Sequence, residues 1–136
     1  MCRALFVALF VLAVAIPVLA QDAVKVDPKH YKVEVNNSRV RVLRIHYGAY
    51  ENSVMHSHPD AIAIFQSDGR VKFTYPNGKS EEREMKAGQV AFTPAGRHLP
   101  ENLSANDMDV ILVELKTPKR KAPAKPGATP TNSNKQ

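Results

Sequence analysis

The chain has 136 residues, with 19 Lys and Arg against 13 Asp and Glu and a formal net charge of +6. This length suits a single domain. Arg3 and six basic residues between positions 116 and 135 account for the excess charge, because the remainder holds 12 basic and 13 acidic residues. A nearly neutral domain argues against a nucleic-acid partner.

Residues 1–20 have the features of a signal peptide. Arg3 supplies a positive start, residues 4–16 are apolar, and residues 18–20 form a small-residue cleavage pattern before position 21. The alternative is a membrane anchor, but the apolar run is shorter than the ~20 residues that a spanning helix needs, and Pro17 interrupts it. We therefore expect cleavage, no stable membrane span afterwards, and export to a periplasm or the outside.

The single cysteine, Cys2, lies in this leader. The mature chain would then have no disulfide, thiolate ligand or cysteine nucleophile, so its fold must depend on core packing. At the other end, residues 117–136 are rich in Lys and Pro and poor in apolar side chains. This composition predicts a disordered basic tail, and its charges favour a solvated segment.

The region between the ends has the pattern of a β domain. Residues 21–38 are predicted to form an N-terminal segment with an edge strand, and residues 39–116 a barrel. Strands are predicted at residues 40–47, 61–65, 71–75, 80–86, 89–93 and 109–116. In the first of these the apolar alternation changes phase at Leu43, which indicates a bulge. No window has a convincing helical period, so the fold class is all-β, a sandwich or a small barrel.

Three histidines have spacings that suit one metal ion. His56 and His58 are two apart, so on a strand both imidazoles point to the same face. His98 can join them only if the fold brings a distant strand alongside. Imidazole nitrogen binds several divalent ions, so the spacing predicts a metal site but leaves Fe, Zn, Mn and Ni open. His30 and His46 have no partner at ligand spacing.

These residues resemble the two motifs of the cupins. The pattern Gly88-x5-Pro94-x-Gly96-x-His98-x3-Asn102 is similar to the second cupin motif, with one residue fewer between glycine and histidine. Gly48 followed by His56-x-His58 is similar to the first motif, with a longer gap. The resemblance implies a single cupin-type double-stranded β-helix, a jelly-roll barrel, over most of residues 40–115. Within the superfamily, the chain is similar to small single-domain cupins of beta-alanine degradation.

The first motif departs from the usual cupin form. Its glutamate would fall at Ile62 or Ala63, and neither side chain can bind a metal. Asp60 is the nearest acid and is in phase with the histidine pair if the strand runs straight. It is either a fourth metal ligand or a solvent-facing turn residue after Pro59.

Two functions are consistent with these residues. A three-histidine site leaves positions open for water, substrate or oxygen, which favours a metal-dependent enzyme, dioxygenase-like with Fe(II). The missing glutamate and the lack of a second catalytic constellation favour a non-catalytic module that binds a metal or a small ligand. Either function implies a small-molecule ligand or substrate. Exposed edge strands favour a homodimer. Arg97 is either a partner for a substrate carboxylate or an exposed loop residue.

Overall fold

The computed structural model describes residues 21–117, so the predicted signal peptide and most of the predicted tail lie outside the described residues. This region contains one short helix and nine strands. The helix is α1 (Ala23–Val26); the strands are β1 (Tyr31–Asn36), β2 (Val40–Tyr47), β3 (His56–His58), β4 (Ala61–Phe65), β5 (Gly69–Thr74), β6 (Ser80–Met85), β7 (Val90–Thr93), β8 (Gly96–Asn102) and β9 (Met108–Leu115). The all-β prediction is confirmed. Among residues 21–117, no helix is long and apolar enough to cross a membrane.

The strands form two antiparallel sheets. One sheet has the order β1-β2-β9-β4-β7, and the other has the order β3-β8-β5-β6. Strands that are distant in the sequence are therefore neighbours: β2 pairs with β9 along its whole length, and β3 pairs with β8. Both sheets turn one face inward, since alternate side chains of a strand point to opposite faces.

The inward side chains of both sheets form one core. Leu43 and Leu112, from the first sheet, share a buried cluster with Val71 and Met85, from the second. The burial pattern of β4 alternates strictly, so its apolar run buries one face and leaves the other half-exposed. The core therefore holds the two sheets against each other without any cysteine in the described region.

The predicted bulge is present, but in the neighbouring strand. The pairing of β2 with β9 is unbroken from Val40 to Tyr47, so β2 itself has no bulge. The register shifts in β1, where Val33 pairs with Leu43 and Val35 pairs with Val42, which leaves Glu34 as the extra residue. The phase change at Leu43 therefore marks the correct place in the sheet, and the bulge prediction was wrong about the strand.

The helix α1 was not expected from the sequence. It is only four residues long, capped by the Asp22 side chain, which accepts a hydrogen bond from the Val24 N–H at 3.1 Å. One turn is too short to show a helical period. It packs near β1 and β3, so it covers the strand that carries the first two histidines.

Candidate metal centre

The pairing of β3 with β8 brings the three histidines together. His56 lies directly opposite His98 in the antiparallel register, and His58 lies opposite Gly96. The ring centroids of His56 and His58 are 4.8 Å apart, those of His56 and His98 5.1 Å, and those of His58 and His98 5.6 Å. His56 and His58 are buried and His98 is partly buried. The predicted convergence on one point is therefore present.

The donor set fits a single metal ion. One nitrogen from each histidine lies within 4.8 Å of the others. Metal–imidazole bonds of about 2.1 Å place two ligand nitrogens at most about 4.2 Å apart. Ligands in a tetrahedral arrangement are about 3.4 Å apart, so a pair at 4.8 Å would have to close by about 1.4 Å, which requires rotation of the imidazole side chains. The three residues would hold a divalent ion and leave part of its coordination sphere open.

The protonation of the cluster also suits a metal. Burial lowers the pKa of His56 to about 4, with a further contribution from the charge of His58. Burial, then the charges of His56 and His58, lowers the pKa of His98 to about 3. Both imidazoles are therefore neutral near pH 7. A neutral imidazole has a free lone pair, which is the form that binds a metal.

Hydrogen bonds fix the orientation of His56. Its Nδ1 lies 2.7 Å from the carbonyl oxygen of Val54 and 3.3 Å from Oγ of Ser53. Because a carbonyl only accepts, Nδ1 carries the proton and Nε2 has the lone pair. Ser53 in turn donates to Asp27 at 2.5 Å, and Asp27 contacts His30 at 2.7 Å. This buried network holds the ring with Nε2 available for an ion.

Glu114 orients His58 in the same way. Its Oε1 lies 2.6 Å from Nδ1 of His58, and its Oε2 accepts from Nε of Arg41 at 2.5 Å. Burial acts to raise the pKa of Glu114, but the hydrogen bonds from His58 and Arg41 outweigh it, and the net pKa is lowered. A carboxylate that accepts from the distal nitrogen of a histidine fixes the tautomer and increases the basicity of the other nitrogen. Glu114 therefore orients a candidate metal ligand and lies outside the histidine cluster itself.

Asp60 does not join the histidines. Strand β3 ends at His58, so Pro59 breaks the alternation that would have turned Asp60 inward. The Asp60 side chain is exposed, and its carboxylate accepts a hydrogen bond from the Ala95 N–H at 2.7 Å. This position agrees with the turn-residue alternative, and the hydrogen bond connects Asp60 to the loop before β8. The fourth-ligand alternative stays a prediction.

The remaining candidate residues have separate roles. Asn102, the last residue of the second motif, is fully buried and donates to the carbonyl oxygens of Gly48 and Asn106, so it holds together the loops that contain them. Glu101 pairs with Lys72 at 2.5 Å, away from the cluster. Arg97 follows Gly96 in β8 and is partly buried, not an exposed loop residue. Within residues 21–117 its buried Nε has no hydrogen-bond partner.

A small cavity adjoins the cluster. Its volume is about 100 Å³, and its walls are mainly apolar. His58 and His98 reach it from one side, with Tyr31 and Tyr47 beside them. Phe73, whose ring lies 5.3 Å from that of His98, also lines the cavity. A metal at the histidines would thus meet a space that accommodates a small molecule and little water.

Sequence reasoning missed Glu114 and Tyr31. Glu114 belongs to β9, in which buried and half-buried residues alternate, and it is the only charged residue of this strand at a buried position. The alternation in the sequence could therefore have identified Glu114 as an inward-facing carboxylate. Tyr31 lies in the segment that had only a general edge-strand prediction, and its hydroxyl reaches His56 from a strand of the other sheet. No local pattern indicates such a contact.

The fold is the double-stranded β-helix of the cupins, as comparison with solved structures shows. A cupin domain from Bordetella pertussis Tohama I aligns with a TM-score of 0.60 and 22% identity, over 64% of this chain and 92% of that one. An RmlC-like cupin family protein from Methanocaldococcus jannaschii aligns with a TM-score of 0.52 and 21% identity, over 69% of this chain and 87% of that one.

A cupin superfamily protein from Desulfitobacterium hafniense DCB-2 gives a TM-score of 0.50 and 11% identity, over 64% of this chain and 76% of that one. No protein-family model matches the sequence, and no curated protein matches it. At these identities the likeness establishes the fold alone. The finer resemblance to proteins of beta-alanine degradation stays a prediction.

Proposed function

We propose that this protein is an exported cupin that binds one divalent metal ion through His56, His58 and His98 and acts on a small molecule in the adjoining cavity. The observation that carries this proposal is the mutual approach of one nitrogen from each histidine within 4.8 Å. Neutral imidazoles and partial burial support it, since metal binding then competes with few protons and little water. The donor set suits Fe, Zn, Mn or Ni.

A metal-dependent oxygenase is the enzyme class that fits this site best. When bound, Fe(II) would supply the activation of dioxygen, whereas Zn would supply a Lewis acid. The chain's own contribution is to hold the ion with three ligands, keep its remaining positions accessible from the cavity, and surround them with apolar side chains. Phe73 and Phe65 are among the residues that would exclude water there.

A non-catalytic metal or ligand-binding module is the second candidate. One observation favours it: among residues 21–117, no carboxylate belongs to the ligand cluster, and Glu114 is engaged by His58 and Arg41. The site therefore has no free general base beside the ion. Proton transfer would have to use a group of the substrate or a hydroxyl.

The metal content of purified variants tests the proposal. We expect about one divalent ion per chain in the parent and in His46→Ala, because His46 is exposed and contacts Asp109 outside the site. His56→Ala should lose the ion. Equal metal content in His56→Ala and the parent would contradict the assignment. Substrate-dependent oxygen uptake that His56→Ala abolishes would support the oxygenase, and bound metal without turnover would support the binding module.

Export and dimerisation are parts of the same proposal. Gln21, the first residue after the expected cleavage point, is already tied to the fold, because its carbonyl accepts from the Ser57 N–H at 2.8 Å. The expected first residue of the mature chain would thus be held against β3. The edge strand β7 exposes Val90 and Phe92 on one face, which supports pairing with a second copy of the chain.

A further inference from the structure

Tyr31 places a hydroxyl group at the histidine cluster. It begins β1, is buried, and lines the same cavity as His58 and His98. Its hydroxyl oxygen lies 3.0 Å from Nε2 of His56 and 2.6 Å from the hydroxyl oxygen of Tyr47. The Tyr31 ring centroid is 4.9 Å from that of His56 and 5.6 Å from that of His58. The hydroxyl therefore contacts a nitrogen proposed to bind the ion.

The directions of these hydrogen bonds follow from the partners. Because Nδ1 of His56 donates to the Val54 carbonyl, Nε2 has the lone pair and must accept. Tyr31 therefore donates its O–H to His56. Its oxygen is then free to accept from Tyr47, whose hydroxyl lies 2.6 Å away. Tyr47 thus holds the Tyr31 hydroxyl in place.

Metal binding would remove the acceptor of Tyr31. The lone pair on Nε2 of His56 serves either the tyrosine O–H or an ion, but not both. A buried hydroxyl that loses its acceptor is unfavourable unless it finds another one. Tyr31 would then donate either to the Tyr47 hydroxyl oxygen, 2.6 Å away, or to a ligand bound at the open side of the ion.

The charge balance favours an anionic ligand at that place. Neutral imidazoles leave the positive charge of a divalent ion uncompensated. Glu114, the carboxylate that contacts a proposed ligand, is already paired with Arg41. The apolar walls of the cavity strengthen the attraction of an ion for an opposite charge, because they screen it poorly.

We propose that the Tyr31 hydroxyl donates a hydrogen bond to an anionic small molecule, a carboxylate or an enolate, bound at the open coordination position of the ion. This inference rests on the proposed metal site and adds the chemical class of its ligand. Tyr31 selects a ligand whose donor atom binds the metal and also accepts an O–H. Tyr47 acts as a positioning residue for it.

Anion binding to the cobalt-loaded protein tests this role. Co(II) reports its ligands through visible absorption bands, so azide and acetate titrations give dissociation constants without any activity assay. We expect Tyr31→Phe to raise both anion dissociation constants about tenfold, which is typical for loss of a hydrogen bond to a charged group. The dissociation constant for Co(II), measured by competition with a chelator, should change less than about threefold.

Tyr50→Phe is the matched control, since this tyrosine is 66% exposed and lies outside the site. It should leave the cobalt and anion constants unchanged. If Tyr31→Phe weakens Co(II) binding tenfold or more, the tyrosine is itself a ligand and the proposed role is wrong. If Tyr31→Phe leaves anion affinity unchanged while cobalt is bound, the role is wrong although the metal site stands. A parent protein that binds no cobalt overturns both proposals.

Tyr47→Phe covers the case in which Tyr31→Phe does not fold. It retains the Tyr31 hydroxyl and removes only the group that holds it, so the anion dissociation constants should rise by a smaller factor, about threefold. Thermal unfolding and far-ultraviolet circular dichroism identify a folded variant. Unchanged anion binding in a folded Tyr47→Phe would contradict the positioning role.

Discussion

Glu114 contacts the proposed metal ligand His58 across a long separation in the sequence. It is 2% exposed and bridges His58 and Arg41. A glutamine at this position keeps the size but loses the charge that fixes the imidazole tautomer. We expect Glu114→Gln to weaken divalent metal binding by about 10- to 100-fold, as measured by isothermal titration calorimetry. Glu101→Gln, which alters a surface pair with Lys72, is the control. Equal affinities in both variants would contradict the role of Glu114.

The histidine cluster should make the metal-free protein sensitive to mild acid. The folded pKa of His56 is about 4 and that of His98 about 3, both below the ordinary value of 6.5. The unfolded chain therefore takes up protons first, so stability is complete above pH 6.5 and falls as the pH decreases toward 4. Each of these histidines would lower the free energy of unfolding by about 2 kcal/mol between pH 6.5 and 5.

Urea unfolding of chelator-treated protein at pH 7, 6 and 5 measures this loss. His98→Asn removes one of the two titrating groups and should flatten the dependence. Asp and Glu carboxyls contribute little in this window, because their ordinary pKa values, 3.8 and 4.5, lie below it. An equally steep loss in His98→Asn would show that another group is responsible.

At the residue scale, the sequence predicted the histidine cluster but not the residues that contact it. The two-residue spacing of His56 and His58 predicted that they share one face of a strand, and the second motif pointed to His98. Asp60 was left between two alternatives, because the sequence does not tell whether the strand continues through Pro59; in the structure, β3 ends at His58. Tyr31 acts through a hydroxyl that crosses between sheets, which no local pattern encodes.

At the element scale, Gly88 and Gly96 provide a matched pair. Gly88 has φ of +82° with nothing within 4 Å of an added Cβ, so its substitution affects only backbone conformation. Gly96 begins β8 with no positive φ, and a Cβ there would meet the nearest atom at 3.8 Å. We expect Gly88→Ala to lower the free energy of unfolding by about 1 kcal/mol and Gly96→Ala by less than about 0.5.

Urea denaturation of the two variants measures the difference. Equal decreases in the free energy of unfolding would show that the positive φ of Gly88 does not account for the effect of its substitution. A positive φ, as in a tight turn, is the conformation that glycine adopts more readily than other residues. Of these two glycines, only Gly88 has that conformation, because Gly96 already belongs to the extended strand that presents His98.

Strand prediction was most accurate where apolar residues alternate. The predicted strand at residues 40–47 coincides with β2, and β9 differs from its prediction by one residue at each end. The one-turn helix α1 was missed because four residues carry no period. The bulge was predicted in β2 because the apolar alternation changes phase there. A phase change indicates irregular pairing between two strands but not which strand has the extra residue, and the pairing shows that it is β1.

At the scale of the whole molecule, sheet topology creates the site. The β3–β8 pair supplies the three histidines, whereas β9 and β1, from the other sheet, supply Glu114 and Tyr31. The proposed metal centre therefore lies where both sheets contribute side chains to one interior. Its residues come from four strands, so metal binding should depend on the intact fold rather than on any single segment.

A crystal structure of the metal-loaded protein, with data collected at the absorption edge of the metal, tests the central claim most directly. We predict one anomalous peak per chain, at about 2.0–2.2 Å from one nitrogen each of His56, His58 and His98. A peak that lacks any of these three nitrogens, or that lies elsewhere on the chain, would contradict the shared metal centre.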